Sequence, residues 1–326
     1  MKREILNKLI VFFGLLLPFL FFAGCSKNED ATIPAIESKN PIITKIADDV
    51  NADSIKKTVQ WLQDKKTRYY LSSNRKQVAT ELKNKFVQLG YVNSRIDSFF
   101  LSSKGDYGQA YETWQYNVIA RLEGSLNIGK VYVIGAHYDS YCYDFDPFIM
   151  APGADDNASG VAGILEIARV FKKNGFVPKS TIEFVAFAAE EAYWKGSSDY
   201  ATKAAAKNIG IALMINLDMI SYQPNPNPSS WSVKVINYEN STSQLTQIVS
   251  CGKIYTRLAF INDNAHSNLS DSYPFFQKGY KAIFFESSLF HDPYYHMLED
   301  VVAHYNYPYC REVSAVSCAY LVQENL

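Results

Sequence analysis

"VYVIGAHYDS", residues 131–140, begins as a buried strand: Val131, Val133 and Ile134 are β-branched, and Tyr132 also favours extended backbone. The apolar run stops at Ala136, and His137, Tyr138, Asp139 and Ser140 come next. An apolar strand thus carries an imidazole, and two residues later a carboxylate, to its C-terminal end. Residues two apart share a side of a strand, so Asp139 is placed to hold the His137 ring. In open α/β sheets, sites lie beyond the carboxyl ends of the strands, so the residues just past the end of every other strand matter equally.

Strand patterns recur at about 95–101, 114–122, 130–136, 181–187, 211–217, 231–237 and 281–286. Helical patterns fall at about 52–66, 74–89, 158–174, 194–207, 242–256 and 308–323. In the second of these, Val78, Leu82, Phe86 and Leu89 recur at spacings of three and four, and Gly90 supplies a stop. Small residues Gly160, Ala162 and Gly163 open the run at 158 and allow close packing on a sheet. "PNPNPSS", 224–230, is a loop, because its prolines fit neither a helix interior nor a central strand. The alternation predicts an α/β fold: a three-layer α/β/α sandwich around a mostly parallel, mixed sheet. Residues 51–326 read as one such domain, with the helices at 52–89 packed on it and no role assigned to them.

The 326 residues carry a net charge of −1 and no Lys/Arg-rich run, which argues against a nucleic-acid partner. Lys2, Arg3 and Lys8 precede an apolar run, Leu9 to Phe22, that contains Pro18 and is short for a membrane span. It fits a secretory signal. "FFAGCSKNED" then resembles a bacterial lipobox, which implies cleavage after residue 24 and a lipid on Cys25. Ser26 after that cysteine implies the outer membrane. The expectation is a signal peptide at 1–24, a lipidated tether at 25–50, and a chain anchored in a bacterial cell envelope through Cys25. Cys142, Cys251, Cys310 and Cys318 remain, and an exported chain can oxidise them. One disulfide, two or none all stay open.

The ends of the strands share a chemistry. His137 and Asp139 end the first, and Asp155, Asp156 and Asn157 in "APGADDNASG" precede a helix. Glu190 and Glu191 come after "TIEFVAFA", Asp218 after "IALMINL", and "HDPYYHMLED" supplies His291 and His296. Taken singly, each has a plain structural reading: helix caps for the aspartates, acids entering a helix for the glutamates, a satisfied ring for a histidine. Taken together, they fall at one end of one sheet. Converging carboxylates raise one another's pKa, and Lys195 is the nearest basic residue to Glu190 and Glu191. A bound divalent metal, or two, resolves that conflict. Histidines and carboxylates without thiolate suit zinc, with manganese or cobalt still open.

In this order "GAHYDS", "GADDNASG", "AFAAEE", "NLDM" and "PYYH" resemble the co-catalytic dizinc exopeptidase family, which includes bacterial leucyl aminopeptidases, aminopeptidase Y and glutamate carboxypeptidase II. The resemblance covers about residues 114–300. It implies a hydrolase, a metallopeptidase that binds two Zn2+ per chain and acts on peptides. By the same resemblance, His137 and Asp218 bind one zinc, Glu191 and His296 the other, and Asp156 bridges them. Asp156 is preferred to Asp155 because Asp156, Asn157, Ala158, Ser159 and Gly160 fit the family pattern. Glu190 takes the place of the general base, and Asp139 that of the residue orienting His137. The expected chemistry is attack by a metal-activated water, its proton passing through Glu190 to the leaving amine.

Two positions depart from the family. Ser272 in "LSDSYPFF" stands where a histidine is frequent, which puts substrate contacts in question. Trp194 stands where a small residue is common and reads either as a pocket wall or as a plain packing aromatic. No Arg-rich patch offers to bind a terminal carboxylate, which favours an aminopeptidase over a carboxypeptidase. The rival readings are a single-zinc aminoacyltransferase like glutaminyl cyclase, and a non-catalytic peptide-binding lipoprotein on a peptidase fold.

Overall fold

The computed structural model describes residues 39–104, 110–126, 129–287 and 292–326. The signal segment, Cys25, the first part of the tether and His291 lie outside them. Eight strands are present in this part: β1 (Arg95–Lys104), β2 (Ala110–Leu122), β3 (Lys130–His137), β4 (Thr181–Phe187), β5 (Gly210–Leu217), β6 (Ser232–Asn237), β7 (Ala259–Ile261) and β8 (Ala282–Ser287). They form one sheet in the order β1-β2-β4-β3-β5-β8-β6-β7. β4, β3, β5 and β8 run parallel at its centre. β2 joins β4, and β6 joins β8, in the antiparallel sense.

The helices are α1 (Pro41–Asp48), α2 (Ala52–Gln63), α3 (Arg75–Gln88), α4 (Gly160–Lys173), α5 (Lys195–Ala206), α6 (Thr242–Tyr255), α7 (Ser272–Gln277) and α8 (Tyr307–Gln323). Alternation along β3 shows how they cover the sheet. Val131 and Val133 pack with Tyr200, Ala201 and Phe275 of α5 and α7. Tyr132, Ile134 and Ala136 face the larger core that holds α1–α4, α6 and α8. Every residue of β3 after Lys130 is buried, as a parallel strand covered on both faces requires. α4 reaches the sheet through Gly160, where a Cβ would stand 2.2 Å from the Leu217 carbonyl oxygen.

The expected three-layer α/β/α sandwich with a mixed, centrally parallel sheet is what the chain builds. The tether expected to run to residue 50 is corrected: residues 41–48 form α1. Asn40 caps it by accepting the Ile42 N–H at 2.9 Å, and Pro41 occupies its first turn. Ile43, Ile46 and Ala47 are buried; two isoleucines alone contribute about 3–6 kcal/mol of apolar burial, enough to dock so short a helix. α7 and β7 were not expected either, being six and three residues long. Cys142, Cys251, Cys310 and Cys318 are all buried and form no disulfide with one another.

Candidate metal centre

β3, β4 and β5 are parallel neighbours, so their C-terminal ends deliver His137, the Glu190–Glu191 pair and Asp218 to one place. Asp156 comes from the kinked turn Ala154–Ser159 that leads into α4, where its own backbone is non-helical (φ −104°, ψ 97°), and His296 from the loop before α8. His137 Nε2 lies 3.2 Å from Asp156 Oδ1 and 3.3 Å from Asp218 Oδ1. His296 Nε2 lies 2.9 Å from Asp156 Oδ2 and 3.1 Å from Glu191 Oε2. The two oxygens of Asp156 therefore face two different histidines. Donors bound at about 2.0–2.1 Å to one tetrahedral ion are about 3.3 Å apart. In both triads, His137–Asp156–Asp218 and Asp156–Glu191–His296, the imidazole nitrogen stands near that distance from each carboxylate, and all the donor atoms lie within 4.8 Å of one another. His137, Glu190 and Glu191 also come close together, but Glu190 Oε2 stays 4.0 Å from His137 Nε2, outside the shorter contacts to Asp156 and Asp218.

Among the described residues, the ion pairs of Asp156, Glu190, Glu191 and Asp218 run only to these two histidines. This sets the electrostatics. Burial raises the pKa of Glu190 well above the carboxylate range, with neighbouring Asp271, Glu191 and Asp218 adding to it. Burial likewise raises Asp218, and raises Glu191 to about 7. Mutual repulsion was the expected cause; desolvation is the larger one. Burial acts against charge on His137, but Asp218 and Glu190 hold its pKa well above normal. Burial also opposes charge on His296, which Glu191 and Asp156 push up to about 12. Asp156 alone is lowered: burial raises it, and hydrogen bonds to both histidines outweigh that. Four carboxylates whose ion pairs, among the described residues, run only to two imidazoles have the donor chemistry of a divalent-metal site.

A shell of hydrogen bonds holds these groups. Asn157 Nδ2 donates to the Leu217 carbonyl at 2.9 Å, while its Oδ1 accepts from Gly160 N. Asp155 Oδ1 accepts from Ser221 N and Oγ, which ties the turn to the loop after β5. Asp300 accepts the N–H groups of Asp155 and Asp156 at 2.7 and 3.2 Å. Ser270 Oγ donates to Asp218 Oδ2 at 2.6 Å. Strain collects here as well: Ala189, Tyr193, Trp194, Met219 and His296 all have φ between 50° and 68° without being glycine.

Asp139 has a different grip from the expected one. Its Oδ1 is 3.6 Å from His137 Nδ1, too far for a hydrogen bond, whereas its main-chain oxygen lies 3.2 Å from that nitrogen. The carboxylate instead accepts the backbone N–H groups of Glu190 and Glu191, at 3.1 Å each. It fixes the turn that aims the two glutamates. Ser272 is also reassigned: it is fully buried, shares a hydrogen bond with Tyr238, and does not line the cavity. Trp194 packs edge-on against Tyr273 and is likewise absent from the cavity wall.

A cavity of about 660 Å3 opens on the cluster. Met219, Ile261, Leu269 and Phe284 give it apolar wall, and Lys234, His266 and Glu286 add a linked polar patch. Sequence reasoning missed these, and it missed Ser270, Asp300 and Arg68, a fully buried residue between α2 and α3.

Residues 117–321 match the sequence profile of peptidase family M28. The chain belongs to that family. The matched segment contains all the residues of the two triads. Among curated relatives, a probable aminopeptidase of Saccharomyces cerevisiae, YDR415C, is 28% identical over 69% of this chain and 61% of its own length. The chain spans 29–43% of the length of other such relatives. Among solved structures, an aminopeptidase from Aneurinibacillus sp. strain AM-1 superposes with a TM-score of 0.72 at 16% identity, over 87% of this chain and 96% of that one. A glutaminyl cyclase from Bacteroides thetaiotaomicron superposes with a TM-score of 0.68 at 17% identity, over 85% and 99%. At those identities the likeness concerns the fold alone.

Proposed function

We propose that this M28 protein is a zinc-dependent aminopeptidase that removes N-terminal residues from peptides. The observation that carries the reading is the pair of triads sharing Asp156, with Glu190 beside them but outside both. His137, Asp156 and Asp218 would hold one ion, and Asp156, Glu191 and His296 a second. Bound there, zinc would supply Lewis acidity, lowering the pKa of water and polarising a peptide carbonyl. Glu190 accepts the proton of the attacking water on its carboxylate and delivers it to the departing amine nitrogen. Its burial among other acids favours holding that proton between the two events. Asp139 keeps Glu190 aimed through the backbone N–H of the turn. The side chain of the released residue sits against Met219, Ile261, Leu269 and Phe284. We propose further that Cys25 carries a lipid holding the enzyme in a bacterial outer membrane, on the strength of the sequence from Met1 to Cys25.

The test uses the chain from Ser26 loaded with zinc. It is given an unblocked peptide and its N-acetylated twin, and free amino acid is measured. Cleavage of the unblocked peptide alone is expected. Cleavage of neither by protein holding two ions per chain refutes the aminopeptidase reading, and one ion per chain with cyclisation of N-terminal glutamine would replace it with the cyclase. Glu190→Gln should retain zinc and lose about a hundredfold to ten-thousandfold in kcat. For the anchor, Cys25→Ala should release the protein from the membrane fraction of expressing cells; retention there refutes it.

A further inference from the structure

Arg68 lies outside the family-matched segment 117–321, in the connection between α2 and α3, and is 1% exposed. Its guanidinium binds main-chain carbonyls on three segments, one of them the adjacent end of α2. Nε donates to Tyr138 O at 2.8 Å, Nη1 to Pro152 O at 2.7 Å and to Leu62 O at 3.3 Å, and Nη2 to Gly153 O at 2.7 Å. Its backbone N–H donates to Ser140 Oγ, which in turn donates to Ala151 O. Tyr138 sits between His137 and Asp139, and Pro152 and Gly153 lead into Asp155 and Asp156. One side chain thus ties the segment that presents His137 to the turn that presents Asp156. The turn is shaped around it: Gly153 has φ +54°, and a Cβ there would stand 2.7 Å from Arg68 Nη2 and 2.3 Å from Asp156 O.

The charge is as telling as the fork. Among the described residues, no carboxylate forms an ion pair with Arg68; its N–H groups meet neutral carbonyls. Burial pushes its pKa down to about 10, and the nearby Asp300, Asp139, Asp156 and Glu191 offset only part of that by favouring the charged form. A buried cation without a direct counterion is costly for stability alone. Arg169 is handled in the ordinary way, paired with Glu166 at 2.6 Å. Lysine could not replace Arg68, because a single ammonium does not span two segments as a planar fork does.

We propose that Arg68 is the positioning residue of the metal centre: its fork sets His137 and Asp156 at ligand spacing, and its charge restrains the carboxylates before metal arrives. This rests on the two triads being a metal site and is independent of which peptide bond is cut. The variants are Arg68→Lys, Arg68→Met and, as control, Arg311→Lys. Arg311 also donates to main-chain carbonyls, Ala47 O at 2.9 Å and Val50 O at 3.1 Å, but it anchors α1 instead of the cluster. Each protein is stripped of metal. Zinc affinity is read by competition with a chelating dye, and melting is measured with and without zinc. Arg68→Lys should lose about tenfold to a hundredfold in zinc affinity, the range for groups that support metal ligands, and its melting temperature should gain less from zinc. Arg68→Met should lose more. Arg311→Lys should melt lower with unchanged zinc affinity. Wild-type zinc affinity in Arg68→Lys overturns the proposal, whatever its melting temperature, and that variant decides the matter if Arg68→Met fails to fold. Wild-type protein that takes up no zinc overturns this proposal and the metal site together; zinc uptake without peptide cleavage sinks only the aminopeptidase reading.

Discussion

Two sets of buried acids in this molecule are treated in opposite ways. Glu183, inside β4, is 4% exposed and has fixed partners: Arg121 Nη1 at 2.9 Å, Arg95 at 3.8 Å and the Tyr200 hydroxyl. Glu166 on α4 is paired with Arg169 and accepts the Asn51 N–H. A few residues beyond Glu183 along the same chain, the side chains of Glu190 and Glu191 are 11% and 7% exposed in the cavity wall, and neither they nor Asp156 and Asp218 have a Lys or Arg partner among the described residues. Glu183 and Glu166, which serve the fold, each have a permanent cation. Acids left to histidines alone form a site whose balancing charge comes from outside and can exchange.

The sharpest test of that contrast removes the shared ligand. Asp156→Ala takes one carboxylate from both triads and should abolish stable zinc binding. With it should go at least about a thousandfold in kcat/KM, roughly 4 kcal/mol of transition-state stabilisation. Metal content by mass spectrometry and peptide hydrolysis on the same sample check it. Full zinc occupancy in this variant would falsify the assignment of Asp156 as common ligand.

The second test uses pH. In the metal-free fold, Glu190 and Asp218 are raised by burial, and Glu191, Asp271 and Asp300 are raised to about 7. His137 and His296 are raised by the acids around them, against the effect of burial. From about pH 5 to pH 8 the native state therefore holds protons that the unfolded chain has released, and stability falls as pH rises. The slope is about 1.4 kcal/mol per pH unit for each such proton. Asp156 is lowered and acts with the opposite sign, but in the acid range, below the ordinary carboxylate pKa of about 3.9. Zinc must displace these protons, so its affinity should climb with pH over the same interval. Urea denaturation in chelator should find the protein more stable at pH 5.5 than at pH 8; the reverse order would mean that the cluster is already balanced without metal.

A smaller effect is expected at Asp139, whose carboxylate accepts hydrogen bonds from the cluster only through the backbone N–H groups of Glu190 and Glu191. Asp139→Asn keeps the shape but weakens acceptance of the Glu190 and Glu191 N–H groups. The loss should be about tenfold to a hundredfold in kcat, with KM and zinc content close to wild type. A change confined to KM would point instead to substrate contact.

The parts that were legible from sequence are those written locally. Apolar β-branched runs gave away β3, β4 and β5, and His137, Glu190, Glu191 and Asp218 stand no more than a few residues from the ends of those strands. The supporting parts are not local. Arg68 reaches carbonyls 70 and more residues away along the chain, and Asp300 reaches the N–H of Asp155 across 145 residues. A lone arginine between two helices carries no sign of such partners. Ser270 resembles any loop serine until Asp218 is placed beside it. α1 escaped for another reason: its eight residues are flanked by polar sequence, and only the spacing of Ile43, Ile46 and Ala47 betrays a buried face. The Asp139 role went astray because spacing within a strand indicates which side a residue lies on, while the backbone turn after β4, held by a positive φ at Ala189, is where its carboxylate points.

The smallest expected effect lies on the other side of the comparison. Glu183→Gln removes a buried charge but leaves an isosteric amide, which still accepts from the Tyr200 hydroxyl. Stranding a fully buried arginine would cost about 3–5 kcal/mol. Here the side chains of Arg121 and Arg95 are 35% and 51% exposed and can turn to water, so about 1–2 kcal/mol is the expected loss. It should appear as a lower urea midpoint for the zinc-loaded protein. Zinc affinity and kcat should not move, because Glu183 points to cations that the fold already owns. A fall in zinc affinity would show that the acids of β4 and those beyond its end form one electrostatic unit, and the division drawn between them would be wrong.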